Sequence, residues 1–338
     1  MKRIVSGIQP TSGLTLGNYL GSIKQFVQMQ DNYEMFIFVA DLHAITTGLI
    51  SPEELRQNTL NLVRSYLAFG LDPNKVNLFI QSTMKEHAEL GYLLMCQTTL
   101  GELNRMTQFK DKSAKFQKEA NGTQKLPTGL LIYPTLMAAD ILLYSPDYVP
   151  VGIDQKQHIE LTRNIAERIN NKFKTELFKI PDIIIKKEGA KIMDLCDPKV
   201  KMSKSATTHK GVIFLNDPID VSCKKILSAK TDSLNKINYD VDQQPEIANL
   251  INIYSCLSDM TIDDICNKYA NLGYKEFKQD LANLLQDFLS SYQEKFKTYN
   301  DDYVRDVIEK SYTKVKEIAK AKLDEVLEKL GFVNYEKC

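Results

Sequence analysis

Not one of the 338 residues is tryptophan. A single missing rare residue type can be an accident of composition, so the consequence is optical: the protein is silent where tryptophan is excited selectively. Paired cysteines are lacking too. Cys96, Cys196, Cys223, Cys256, Cys266 and Cys338 stand singly, without a CxxC, and His43, His87, His158 and His209 are scattered. Neither a zinc site nor a disulfide framework is expected, and no protein-bound metal. Charge of one sign is absent, with 43 basic residues against 43 acidic ones. No global field gathers nucleic acid, so any RNA contact must come from local patches. Apolar runs are short, none approaching the ~18 residues of a membrane helix. The N-terminus opens on a strand-like run rather than a signal peptide, so a cytoplasmic protein with no membrane partner is expected.

What the chain does have is 43% apolar content, enough for one large core or two smaller ones. Lys2-Arg3-Ile4-Val5 ends in two β-branched residues and reads as a buried first strand. Residues 35–40 are wholly apolar, as strands of a parallel sheet are, and 76–81 and 148–151 are further strands. Ser51-Pro52-Glu53-Glu54 reads as a capping box with proline at the first helical position, opening a helix to about Gly70. This alternation predicts an α/β fold with a doubly wound parallel sheet. From about Asp217 the pattern turns helical, over 247–257, 261–269, 275–292 and 301–330. The expected organisation is an α/β domain over 1–205 and an all-α helical domain over 206–295. A last helical segment, 296–338, is expected to pack back on the first domain.

Two segments carry chemistry. Lys201-Met202-Ser203-Lys204-Ser205, preceded by Asp197-Pro198, sets two lysines three apart with hydroxyl residues between and after them. On a loop, that spacing lets two ammonium groups converge on one polyanion. Phosphate suits them, because lysine is a compact charge with three donors. The plain alternative is a solvated lysine-rich turn. Near the N-terminus, the stretch from Ser6 to Gly21 follows the first strand and holds Gly7, Gly13, Gly17 and Gly21. A glycine-bearing turn from strand to helix lets a nucleotide sit against the backbone. The glycines do not spell GxGxxG, so the dinucleotide fingerprint is missing. Alone the turn is as readily structural as functional; followed by the lysine loop, it is specific.

KMSKS resembles the signature loop of the class I aminoacyl-tRNA synthetases. Thr15-Leu16-Gly17-Asn18 resembles the variant of their HIGH motif found in tryptophanyl-tRNA synthetases. The resemblance to that family runs through nearly the whole chain, including 101–110, 134–144, 149–163, Thr231-Asp232-Ser233 and 249–255. It implies a Rossmann-like catalytic domain whose partners are L-tryptophan, ATP carrying Mg2+ and tRNA(Trp). It also implies a homodimer, no DNA, and a helical part that reads the anticodon. Thr15, Asn18, Lys201 and Lys204 would act on the phosphates. Gly7, Gln9, Gly17, Gly152, Asp154 and Gln155 would complete the ATP site with Ile192, Met202 and Ser203. Val5, His43, Met137, Asp140 and Ile141 would surround the amino acid, with Val149, Val151 and Gln155.

Some of these residues have a second reading. Asp140 interrupts an apolar run, where a carboxylate is costly unless something donates to it. By itself it reads as a cap or an internal salt bridge. The resemblance makes it the acceptor for the indole N–H, a donor with no acceptor capacity, with Met137 and Ile141 flanking the ring. Asp154 would bind ribose hydroxyls, or serve as N-cap of a helix over 156–169. His43 is either a core residue or a neighbour of the amino acid, and a general base in neither case. Val5 stands where other members can carry a bulky aromatic. The stretch 112–125 looks longer than usual and receives no chemistry.

No acid–base machinery is visible, and amino-acid activation needs none. A carboxylate attacks the α-phosphate, so the protein must position two anions and stabilise charge. A tyrosyl-tRNA synthetase would share the fold, but a phenol calls for a Tyr/Asp pair. An adenylyltransferase has no need of the long helical part, and a silent RNA-binding paralogue has no need of intact motifs. Because the chain is free of tryptophan, added L-tryptophan reports its own binding. Its emission should shift and its anisotropy rise saturably; ATP alone should give no signal, and excess L-tyrosine should not compete. Equal competition by tyrosine would favour the tyrosyl alternative.

Overall fold

A computed structural model describes residues 1–11, 13–114, 116, 125–185, 192–204 and 208–333. β1 (Lys2–Ile8), β2 (Tyr33–Val39), β3 (Val76–Ile80), β4 (Tyr148–Val151) and β5 (Asp182–Ile185) form one parallel sheet, ordered β3-β2-β1-β4-β5. The chain steps outward from β1 to β3, then returns to the other side of β1 for β4 and β5. This is the doubly wound arrangement expected, with its switch point between β1 and β4, where such sheets bind ligands beyond the strands' carboxyl ends. β5 is not among the strands expected above, although its consecutive isoleucines are the β-branched run a strand needs.

Helices connect the strands. Between β1 and β2 lie α1 (Leu16–Asn18), a π-helical turn Tyr19–Ile23 and α2 (Lys24–Met29). α3 (Asp41–Ala44) and α4 (Pro52–Ala68) join β2 to β3. α5 (Glu86–Met95), α6 (Leu100–Asn104), α7 (Thr107–Ser113) and α8 (Thr128–Leu142) lead to β4, and α9 (Lys156–Phe173) to β5. The Ser51 hydroxyl accepts from the Glu54 amide at 3.1 Å, but the reciprocal half of that capping box is not formed. Complete boxes occur at Thr15–Asn18 and Thr99–Glu102. α8 begins before Pro134, which forgoes a backbone bond inside the helix. Burial of Leu130, Ala138, Ala139 and Leu142 outweighs that loss.

β2 explains the two-sided burial. Met35, Ile37 and Val39 enter one apolar cluster, Phe36 and Phe38 the other, as strand alternation requires. The first cluster takes Leu16, Phe26, Leu62 and Tyr66 from α1, α2 and α4. The second takes Val5 and Phe79 with Leu90 of α5, Leu142 of α8 and Ile165 of α9.

From residue 208 onward come α10 (Ile219–Leu227), α11 (Pro245–Ser258), α12 (Ile262–Lys268), α13 (Tyr274–Thr298) and α14 (Asp301–Leu330). Ile247, Leu281 and Leu285 share the first cluster with Leu16 and Ile37, so helical part and sheet are continuous in their core. The boundary expected at residue 205 lies outside the described residues. α14 runs from one cluster to the other, with Val304 and Val307 in the first and Val315, Ala319, Leu323 and Val326 in the second. Between them the Ser311 hydroxyl accepts the Leu78 amide of edge strand β3 at 3.1 Å. Lys314 and Lys316 pair with Glu34 and Glu86 at 3.0 and 2.7 Å.

Ser311→Ala should leave the Leu78 N–H buried and unpaired, at a cost of about 1–3 kcal/mol. The thermal unfolding midpoint should fall with Ala and be largely retained with Ser311→Thr. An unchanged midpoint in the alanine variant would mean the hydroxyl is dispensable to the edge.

Candidate active site

Past the end of β1 the chain turns through Gln9 to Thr15, the N-cap of α1. The Thr15 hydroxyl accepts from the Asn18 amide at 3.3 Å, and Asn18 Oδ1 accepts from the Thr15 amide and hydroxyl at 3.0 and 3.1 Å. Thr15 is fully buried. Its hydroxyl takes part in shaping the turn, and Asn18 beside it is half-buried. Gly7 admits no side chain, since a Cβ there would come within 2.5 Å of the Phe38 ring.

The lysine loop is one arm of a small hairpin. Met193 and Lys201 bridge antiparallel, the Asp194 amide donates to the Val200 carbonyl at 2.8 Å, and the Met202 amide to the Ile192 carbonyl at 2.9 Å. Buried Asn249 of α11 accepts from the Met193 amide at 2.8 Å and donates to its carbonyl at 3.0 Å. Met202 and Ile192 bury their side chains in the first cluster, so only their backbone is left to meet a nucleotide. Further on, the Leu16 amide donates to the Ile213 carbonyl and the Leu215 amide to the Leu14 carbonyl, both at 2.9 Å. These bonds stitch the glycine turn to the chain after the loop. The two motifs meet: a Cβ on Gly17 would lie 3.5 Å from the Met202 carbonyl oxygen. Lys204 lines one cleft with Gln9, Gly13, Asn58 and Ser65, and burial pushes its ammonium down to about 8. Lys201 is exposed and Ser203 half-buried on the same loop; Ser205 lies outside the described residues.

On the other side of β1, Met137 and Ile141 of α8 join Val149 and Val151 of β4 in one small apolar cluster. Asp140 beside them is buried, at 2% exposure. Its Oδ1 accepts from Gln81 Nε2 and His87 Nδ1, each at 2.6 Å, and its Oδ2 from His43 Nε2 at 2.7 Å. Burial alone would drive the carboxyl upward; its interactions with His43 and His87 outweigh that and hold it at about 2. The carboxylate inside the core is therefore held by three donors. A carboxylate offers about four lone-pair positions, and three donors leave one of them, on Oδ2. His43 thus reaches the site by holding Asp140. Val5, at 1% exposure, lies in the cluster of Phe36, Phe38 and Phe79.

At the end of β4, a Cβ on Gly152 would meet Asp154 Oδ1 at 2.7 Å. Asp154 is exposed, and its carboxylate accepts from Gln155 Nε2 at 3.0 Å. The N-cap of α9 is Gln155, with no side-chain cap, so the capping reading of Asp154 does not hold. The 101–110 and 149–163 segments dock through Gln157, whose Oε1 accepts the Thr107 amide at 2.8 Å. The 112–125 stretch falls outside the described residues at 115 and 117–124. No metal-binding group of three or more His, Cys, Asp or Glu occurs among the described residues, and no helix there is long and apolar enough to cross a membrane.

Three residues at the site escape sequence reasoning. Tyr133 precedes Met137 and Asp140 by four and seven residues on α8, so the helical period could have marked it. Its hydroxyl meets His158 Nε2 at 2.6 Å and donates to Gln108 Oε1 at 3.2 Å. Burial raises the Tyr133 hydroxyl and lowers His158 to about 4. Gln81 and His87 carry no local signal at all; only the tertiary fold brings them to Asp140.

The family model for class I tRNA synthetases (W and Y) matches residues 1–290. The tryptophan–tRNA ligase of Malacoplasma penetrans (strain HF-2) is 51% identical over 336 residues, covering 99% of this chain and 99% of that protein. Among solved structures, tryptophanyl-tRNA synthetase from Mycoplasma pneumoniae has a TM-score of 0.91 at 43% identity, covering 98% of both chains. That of Campylobacter jejuni, complexed with ADP and tryptophan, has a TM-score of 0.80 at 33% identity over 98% of this chain and 100% of its own. Motifs, sheet order and end-to-end likeness agree, and the chain belongs to the class I tRNA synthetases, in their tryptophanyl branch.

Proposed function

We propose that the cleft between the glycine turn and the lysine hairpin binds MgATP, and that the apolar cluster beside Asp140 binds L-tryptophan. Ligation of tryptophan to tRNA is the activity of this branch, and the division of labour among the residues is our reading. The observation that carries it is the contact of Gly17 with the Met202 backbone, with Lys204 and Gln9 lining one cleft. The ADP and tryptophan of the Campylobacter jejuni complex support the same pair of ligands.

In the first step a carboxylate oxygen of tryptophan bonds to the α-phosphorus of ATP. The bond from that phosphorus to the bridging oxygen breaks, and pyrophosphate leaves. Lys201 and Lys204 stabilise charge on the phosphates from the hairpin side, Asn18 and the turn backbone from the other. Gly152 gives the nucleoside close access to the backbone, and Asp154 accepts from its ribose hydroxyls. Magnesium enters with ATP, held mainly by phosphate oxygens. Asp140 accepts the indole N–H while Met137, Ile141, Val149 and Val151 surround the ring. A hydroxyl of the terminal ribose of tRNA(Trp) then attacks the activated carbonyl, and AMP leaves. The helical part reads the anticodon, and the enzyme works as a cytoplasmic homodimer.

Lys204→Ala should cut ATP–pyrophosphate exchange about 10²-fold or more, the scale of one lost preorganised donor. With its ammonium at about 8 in the free enzyme, raising the pH through that value removes the charge, and bound phosphates favour restoring it. The KM for ATP should therefore rise with pH above about 8, by up to about tenfold per unit, while the KM for tryptophan stays flat. Lys204→Arg should abolish that slope, because a guanidinium keeps its charge. A flat ATP profile in the wild type would remove Lys204 from the phosphate site.

Asp140→Ala deletes the proposed indole partner and strips Gln81, His43 and His87 of their acceptor. Tryptophan affinity should drop by about 1–3 kcal/mol, and selectivity against phenylalanine and tyrosine should fall with it. The unfolding midpoint should fall as well, with the KM for ATP unchanged. Retained tryptophan affinity and selectivity would make Asp140 purely structural.

A further inference from the structure

His87 and Tyr144 are sealed from solvent at 0% exposure, so neither touches a substrate. Yet they form a polar line to Asp140. His87 Nδ1 meets Asp140 Oδ1 at 2.6 Å, and His87 Nε2 meets the Tyr144 hydroxyl at 2.6 Å. Three aromatic rings flank the imidazole, those of Phe38, Phe79 and Tyr144, centred 5.8, 5.9 and 5.5 Å away. Phe36 stacks on Tyr144 at 5.0 Å. A polar ring in an aromatic box is costly unless its nitrogens are partnered, and here both are. His158, equally buried, leaves its Nδ1 unpaired.

The protons in this line follow from the acceptor at its end. Asp140 is an ionised carboxylate and only accepts, so Nδ1 of His87 carries hydrogen and, in the neutral ring, Nε2 is an acceptor. The Tyr144 hydroxyl donates into it. Burial, with the charges of Asp140 and Glu86, raises that hydroxyl well above its ordinary value, so it keeps its proton. We propose that His87 and Tyr144 are positioning residues for tryptophan selection. Tyr144 fixes the His87 tautomer, His87 fixes the Asp140 carboxylate, and the carboxylate keeps one lone pair for a single N–H donor. This rests on the reading of Asp140 as the indole acceptor.

The physical need is orientational. The terminal torsion of an aspartate is broad and roughly two-fold, so an unsupported carboxylate swings. Two donors on Oδ1 from different elements, Gln81 after β3 and His87 on α5, pin its plane. His43 occupies one position on Oδ2. The remaining lone pair then points in a fixed direction, and an aromatic ring lacking N–H leaves it unanswered.

The test compares adenylate formation with L-tryptophan and with 3-benzothienyl-L-alanine, in which sulfur replaces the indole N–H. Wild-type enzyme should prefer tryptophan about tenfold or more in kcat/KM, the worth of a hydrogen bond to a charged group. His87→Leu and Tyr144→Phe should move this ratio toward one, mainly through the KM for the amino acid, with the KM for ATP unchanged. His87→Asn, which can offer an N–H near the Nδ1 position, should restore part of the preference. No preference in the wild type would overturn the reading of Asp140 itself, and the proposal with it. A wild-type preference that survives in a Tyr144→Phe enzyme of normal ATP affinity would overturn the positioning role alone. That variant removes one oxygen, so it carries the test even where His87→Leu fails to fold.

Discussion

An ionised carboxylate inside an apolar core is the constraint on which this site depends. Removing such a charge from water costs at least several kcal/mol even after relaxation, and no single element of the protein supplies enough donors to offset it. Asp140 draws them from three places: His43 on α3 past β2, Gln81 past β3, and His87 on α5. Gln81 is itself held, its Oε1 accepting the Leu42 amide at 3.1 Å. The carboxyl ends of β2 and β3 are thereby tied to the face of α8. The same helix places Met137 and Ile141 against β4, so the charge that must be satisfied also fixes the walls of the pocket we propose.

The nucleotide side is held by backbone instead of charge. Lysines 201 and 204 sit on a hairpin whose other arm is clamped by the Asn249 carboxamide. The chain beyond the loop bonds to both sides of the glycine turn, through Leu14 and Leu16. Such an arrangement leaves the lysine side chains as the adaptable element on a fixed backbone, as phosphate chemistry requires. It also joins the anticodon-reading part we propose to the catalytic half, because α11 and α13 bury Ile247, Leu281 and Leu285 in the core that holds Leu16 and Met202.

That core runs from the sheet into the helical part. α14 lies across the edge strand, accepts the Leu78 amide of β3 on its Ser311 hydroxyl, and adds side chains to both clusters. An edge strand covered in this way is closed to pairing with another chain. Composition does reveal a change of secondary structure after the lysine loop. Whether such a change is also a break in packing depends on which apolar faces meet.

The sequence by itself determined the α/β class, the doubly wound sheet, the two nucleotide motifs and the family. These rest on local patterns: strand alternation and apolar runs, glycine spacing, and contiguous motif residues. The apolar runs that hold Met137, Ile141, Val149 and Val151 were legible for the same reason. Tertiary structure alone decided that Thr15 turns inward, that Val5 is buried with Phe36, Phe38 and Phe79, and that Asp154 does not cap α9. It also decided that Gln81 and His87 converge on Asp140 from positions far apart in the chain, with the Tyr144 hydroxyl meeting the far nitrogen of His87. A hydrogen-bond donor leaves no periodic trace in sequence, because its partner is set by the packing of distant elements. A buried charge announces in the sequence that donors must exist, and only the fold says which they are.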